Sequence, residues 1–170
     1  MLDIQALFKL SYGIFILGAR KAEGGYAGCL VNTVFQLTAE PVRAGVSVSK
    51  NNQTHGAICQ SGTVGVSIMG EQAPAALLGR FGYRSGRDFD KFAGLDFKTD
   101  CHGDPLMTEG AVSHLSCRVE QQLDMGTHTL FVCAVEDGAI CSEDIPMTYK
   151  YYRDVIKLKS SANAPTFVKG

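Results

Sequence analysis

Ala44, Val46 and Val48 alternate with Arg43, Gly45, Ser47 and Ser49. A repeat of this kind puts one apolar and one polar face on an extended chain, and a helix cannot use it. Other segments read the same way. Gly13–Ala19, Tyr26–Asn32 and Val64–Met69 are short apolar runs with β-branched or aromatic content. Val112–Leu123 and Thr127–Val135 flank Asp124-Met125-Gly126, a strong signal for an antiparallel hairpin. Tyr151–Lys159 is expected as a late strand, Ala139–Ile145 as a loop or short strand, and residues 162–170 as a tail or edge element.

Helical signals are brief. Asn51 or Asn52 can cap a helix over Gln53–Gln60, ended by Ser61-Gly62. A second is expected over Gln72–Leu78. The glycine-broken stretch Phe81–Gly94 reads as a functional loop with a helical turn at Asp88–Phe92. Many short strands with few helices favour an antiparallel barrel over a doubly wound sheet. No strand is followed by GxGxxG and a helix, which disfavours a dinucleotide-binding Rossmann unit.

Bulk properties narrow the function. A length of 170 residues suits one domain, residues 1–170. Sixteen Lys and Arg against 17 Asp and Glu leave a net charge of −1, so no nucleic-acid partner is expected. No segment approaches a membrane span, and the start lacks the basic, apolar order of a signal peptide. A cytoplasmic protein with reduced thiols is therefore expected. The six cysteines form no CxxC, and no metal-ligand array stands out. A GxSxG elbow is absent.

Polar residues then form constellations. Asn32, Thr33 and Gln36 follow a strand, and a buried amide or hydroxyl without a partner costs ~1–3 kcal/mol. Such a cluster implies a ligand, solvent or a self-satisfied turn. Ser49, Lys50, Asn51 and Thr54 lie where a helix would begin, with free N–H groups suited to an anion. A solvated, capped turn explains them equally. In GRFGYRSGRDFDK, Ser85, Arg87 and Lys91 sit among glycines that let backbone approach an anion closely. Surface ion pairing is the ordinary alternative. His128 opens a strand beside Gly126, placed to face a barrel mouth or to be satisfied within the hairpin. Tyr12, Tyr149, Tyr151 and Tyr152 can cover a flat ligand or fill a barrel end.

Taken in order, NTVFQLTAEPVRAGVSVS with KNNQTHGAI, then FGYRSGRDFDKFAG, GTHTLFVCAV and PMTYKYY, resemble the flavin reductase-like family. The resemblance implies an FMN-binding split β-barrel, Greek-key-like, with short peripheral helices and a homodimeric assembly. It places Asn32, Thr33 and Gln36 against the flavin ring and ribityl chain. Ser49, Lys50, Asn51, Thr54, Ser85, Arg87 and Lys91 fall towards the ribityl and phosphate end. His128 matches the family histidine near the flavin and the incoming nicotinamide, and is expected to position the latter. Here Thr127 replaces an Asp of the family motif, and Tyr83 stands where His is frequent. The implied activity is hydride transfer from NADH or NADPH to bound FMN, with electrons passed to flavin, ferric or protein acceptors. A rubredoxin-like or other small redox protein is a candidate acceptor. The alternative is a non-enzymatic, flavoredoxin-like electron carrier reduced by a partner. A barrel holding haem or a deazaflavin is a further rival.

Overall fold

Phe15, Leu17 and Ala19 point into one apolar cluster, whereas Ile14 and Ile16 join a second. The apolar run GIFILGA lacks polar alternation because its strand is covered on both faces. The computed structural model describes residues 1–167. After a 3-10 turn, Ile4–Lys9, come β1 (Phe15–Arg20), β2 (Tyr26–Val31), β3 (Val34–Ala39) and β4 (Val42–Ser49). Then follow α1 (Gln53–Ser61), β5 (Thr63–Met69), α2 (Ala75–Tyr83), β6 (Phe97–Thr99) and β7 (Pro105–Met107). The chain continues through β8 (Ala111–Asp124), β9 (His128–Ile140) and α3 (Tyr149–Asp154).

A 7-stranded antiparallel sheet runs in the order β2-β1-β5-β8-β9-β4-β3. Its end strands, β2 and β3, are joined only through Asn32 and Thr33. The sheet must therefore curl until its ends approach, which makes it a split barrel with its seam at that link. Ser47 N donates to Thr33 O at 3.1 Å beside the seam. Val46, Val48, Val64, Val66, Phe131 and Cys133 fill the interior, with Ala57 and Ile58 of α1 packed against them. Outside, Leu77, Leu78 and Phe81 of α2 pack with Met107 and Tyr152 on the other face of β1. Burying each such large side chain stabilises by roughly 1.5–3 kcal/mol. The ribbon β6–β7 lies over β1 and β5, and Gly18 allows the approach: a Cβ there would meet Pro105 O at 2.2 Å.

The expected hairpin forms, with Gly126 at φ +83°, and β9 runs on to Ile140, taking in the start of the segment read as a loop or short strand. Tyr151–Lys159 is not a strand. Thr148 Oγ1 accepts from Tyr151 N at 3.1 Å and caps α3, whose Tyr149 and Tyr152 face the outer core. Aromatic richness suggested a strand, but the cap and the three-residue spacing decide for a helix. Helix α2 is displaced from the expected Gln72–Leu78. Pro74 precedes it and Phe81 extends its apolar face, so the loop begins only after Tyr83. Asp88–Phe92 makes turns rather than a helix; Asp90 Oδ1 accepts from Phe92 N at 3.0 Å. Cys117 and Cys133 are buried free thiols, as their strand positions suggested. No helix among the described residues is long and apolar enough to cross a membrane.

Candidate functional site

Helix α1 starts where β4 ends. Ser49, only 3% exposed, accepts from Asn51 N through Oγ at 3.2 Å and shapes the turn into the helix. Asn52 takes the extended backbone of an N-cap, yet its side chain does not cap the helix. The loop after α2 lies opposite. Arg80 holds it: Nε donates to Lys91 O at 2.7 Å and Nη2 to Ala93 O at 2.5 Å. Arg80 and Arg84 also stack on Phe89, 4.9 and 4.5 Å from its ring centre. A cavity of about 480 Å³ opens between α1 and this loop, over the floor made by Gly28 and Cys29 of β2.

Lys91 is the dominant electrostatic feature of that cavity. It is 6% exposed, and its Nζ donates to the Phe81 carbonyl at 3.0 Å. A neutral carbonyl leaves its charge uncompensated. Burial draws the Lys91 pKa below the usual lysine value, an effect partly opposed by neighbouring Cys29. Burial likewise pushes the Cys29 thiol up, while a hydrogen bond with Thr54 pulls the other way. Arg87 is exposed; its Nη1 donates to Asn51 O at 3.2 Å, and its amide donates to Ser85 Oγ at 3.2 Å. Gln53 Oε1 is buried and accepts no hydrogen bond among the described residues. Gly86 makes room for it, since a Cβ there would lie 2.7 Å away. The cavity thus offers a buried cation, a second cation, amide and hydroxyl groups and an unsatisfied acceptor. That donor set fits a phosphorylated polyol.

Of the residues singled out from the sequence, Asn51, Thr54, Ser85, Arg87 and Lys91 line this cavity together. Asn32, Thr33, Ser49 and His128 lie beyond its wall. Asn32, 4% exposed, donates from Nδ2 to Thr166 Oγ1 at 2.8 Å and accepts from Thr33 Oγ1 at 2.9 Å. His128 pairs with Ser49 across β4 and β9. Its Nε2 lies 3.0 Å from Asn163 O and its Nδ1 2.9 Å from Thr127 Oγ1. A carbonyl only accepts, so Nε2 carries the proton and Nδ1 accepts from the threonine hydroxyl. Gln36 and Lys50 stand apart. Gln36 is exposed on β3 and donates to Thr38 O at 3.2 Å, while Lys50 pairs with Asp124 at 2.6 Å.

Gln53, Cys29 and Asn163 line the cavity but carried no signal in the sequence beyond their neighbours. Gln53 is the first residue of the helix after Ser-Lys-Asn-Asn, so its position could have marked it. Asn163 could not be found that way, because only the fold returns it to α1. The tyrosines serve mainly to fasten the C-terminal segment. Tyr83 and Tyr152 hydroxyls donate to Lys159 O at 2.6 and 3.3 Å, and Tyr149 stacks on Tyr152. Burial raises the Tyr152 hydroxyl pKa, keeping it a neutral donor. Among the described residues no His, Cys, Asp and Glu group is arranged to hold a metal ion.

A family model described as the flavin reductase like domain matches residues 7–157. The chain is similar to a ferric-chelate reductase (NAD(P)H) of Archaeoglobus fulgidus, at 38% identity over 166 residues and covering 98% of both proteins. It is also similar to a high molecular weight rubredoxin of Moorella thermoacetica, at 37% identity, covering 99% of this chain and 73% of that protein. The solved styrene monooxygenase flavin reductase of Pseudomonas putida S12 superposes with a TM-score of 0.71 at 28% identity, covering 85% of this chain and 90% of that one.

Proposed function

The chain belongs to the flavin reductase-like family, and from that premise we propose that it is an FMN-dependent oxidoreductase using NADH or NADPH. The observation that carries the reading is Lys91, a buried cation that faces a carbonyl inside a cavity beside the start of α1. An FMN phosphate would supply the missing counter-charge, with Arg87 at the rim and the first N–H groups of α1 as further donors. Gln53 Oε1 is placed to accept from a ribityl hydroxyl, and Ser85 and Thr54 supply hydroxyls along the same wall. Asn32 and Thr33 sit at the barrel seam, where the ring end of the cofactor belongs, and His128 beside them would hold the nicotinamide. Lys91, Arg87, Asn32 and Thr33 would hold the FMN, and the chemistry it would supply is acceptance of a hydride from NADH or NADPH and its onward transfer as electrons to flavin, ferric or protein acceptors. The protein's part in that chemistry is binding and orienting the cofactor and the nicotinamide.

A second reading, an electron carrier reduced by a partner protein, is favoured by the likeness to the high molecular weight rubredoxin. A homodimer and a cytoplasmic location are part of the proposal. The dimer is supported by the end of the sheet, where Phe35 and Leu37 of β3 and Val42 of the adjoining β4 are exposed at 43%, 40% and 45%. Equilibrium dialysis against FMN, riboflavin and FAD tests the cofactor assignment. FMN should bind most tightly, at one per chain, and should be released unmodified by acid. Preferential FAD binding, a covalent adduct or no flavin affinity would contradict it.

A further inference from the structure

Asn32 at the proposed ring end, His128 at the proposed nicotinamide side and Asn52 at the start of α1 each bond the same C-terminal segment. Asn32 Nδ2 donates to Thr166 Oγ1 at 2.8 Å, and His128 Nε2–H donates to Asn163 O at 3.0 Å. Asn52 Oδ1 accepts from Asn163 Nδ2 at 3.0 Å. The segment therefore presents an acceptor to Asn32, where a flavin carbonyl or ring nitrogen would present one, and it also occupies the free hydrogen-bonding atoms of His128 and Asn52. We propose that residues 160–166 are a strap that occupies the ring end of the flavin site and leaves it when the ring enters. The proposal rests on the flavin assignment above.

The build of the segment suits that role. It is tied at its start, where the Tyr83 hydroxyl donates to Lys159 O at 2.6 Å and the Tyr149 hydroxyl bonds Ser160 Oγ. Lys157, at φ +62°, takes a left-handed conformation that a lysine rarely adopts and turns the chain back over the barrel. Beyond the tie the strap is held by polar side-chain bonds, and none of residues 160–167 is fully buried. Its own turns, Ala164 N to Ser161 O at 2.9 Å and Phe167 N to Ala164 O at 3.0 Å, are isolated single bonds that would open more often once it moved off the barrel. A segment with few apolar anchors and exchangeable polar ones belongs to the low-stability end of a fold. The strap also separates Asn32 and His128 from the phosphate-end cavity, whose wall includes Ser160, Ser161 and Asn163.

Amide hydrogen exchange of the full chain, with and without FMN, tests the strap without recourse to activity. FMN should speed exchange across residues 160–166. In parallel, the double variant Asn163→Ala with Thr166→Val removes two of the tethers and should bind FMN more tightly. A strap closed in about nine of ten molecules weakens apparent affinity ~ten-fold, so a gain of several-fold is expected. If FMN slows exchange in 160–166, or the variant binds FMN more weakly, the segment is a permanent wall of the site and the proposal is overturned. Unchanged exchange and unchanged affinity overturn it too. If neither protein binds FMN, the flavin assignment itself fails, and the strap with it.

Discussion

Lys91 was legible in the sequence as a cation in a glycine-broken loop, but its burial was not. That burial gives its charge leverage, because the loop tucks it under Phe81 and beside Cys29. Lys91→Met keeps the volume and removes the charge. It should weaken FMN about ten-fold or more and riboflavin much less, since a charge-assisted hydrogen bond is worth ~1.5–3 kcal/mol. Equal losses in parallel titrations would show that Lys91 acts through packing. The pH dependence follows from the same residue. Its folded pKa lies below the usual 10.5, so the fold gains stability as pH rises through that window and loses it as pH falls below it. A phosphate favours the charged form and draws a proton back onto Lys91. FMN affinity should therefore decline as pH rises towards 10.5, riboflavin affinity should stay level, and Lys91→Met should remove the FMN slope. His128 was read as a nicotinamide ligand, yet both ring nitrogens are engaged within the protein. His128→Ala should retain FMN and slow flavin reduction by NAD(P)H in stopped flow. Loss of FMN from that variant, or an unchanged rate, would remove the role.

At the scale of elements, local chemistry announced what it controls and was silent on the rest. The β8–β9 hairpin was legible because its turn lies next to the strands it joins. The helix α3 was misread because tyrosines favour strands on average, and a single threonine cap reversed the outcome. The ribbon β6–β7 left no signal in strands of 3 residues each, yet it closes the outer face of β1. Gly18 is where that packing can be tested. Gly18→Ala places a methyl against Pro105 O and should destabilise the protein by ~1–3 kcal/mol, read as a lower denaturant midpoint. An unchanged midpoint would mean that the ribbon is loosely held. Asp104, in the turn of the ribbon, is fully buried and its Oδ1 accepts from Arg20 N at 2.9 Å. Burial raises its pKa above 3.8, against the help of Thr63 and the Arg20 amide. A raised carboxyl stabilises below the unfolded pKa and loses that contribution as pH rises through the folded one. Asp104→Asn keeps an acceptor for Arg20 N without the charge. It should gain stability relative to the parent at about pH 7 and lose that advantage at about pH 4; the opposite order in denaturation curves would reject the assignment.

For the whole molecule, the barrel was legible as a class and its closure was not. Strand alternation shows that Val46 and Val48 face a core, but no local pattern shows that β2 and β3 end the sheet order and meet at Asn32–Thr33. The same holds for the site. The proposed phosphate half is assembled from α1 and the loop after α2, each recognisable along the chain, while the proposed ring half involves a C-terminal segment that only the fold brings back. The chain, matched by the flavin reductase like domain over residues 7–157, is a split barrel of that family, and FMN is proposed to span the anion pocket and the seam. The most direct test is anaerobic titration of the FMN-loaded protein with NADH and with NADPH, followed by flavin absorbance. Bleaching of all the bound flavin by one equivalent of at least one nicotinamide is the predicted result. Bound FMN that stays oxidised in excess of both would contradict the reductase assignment.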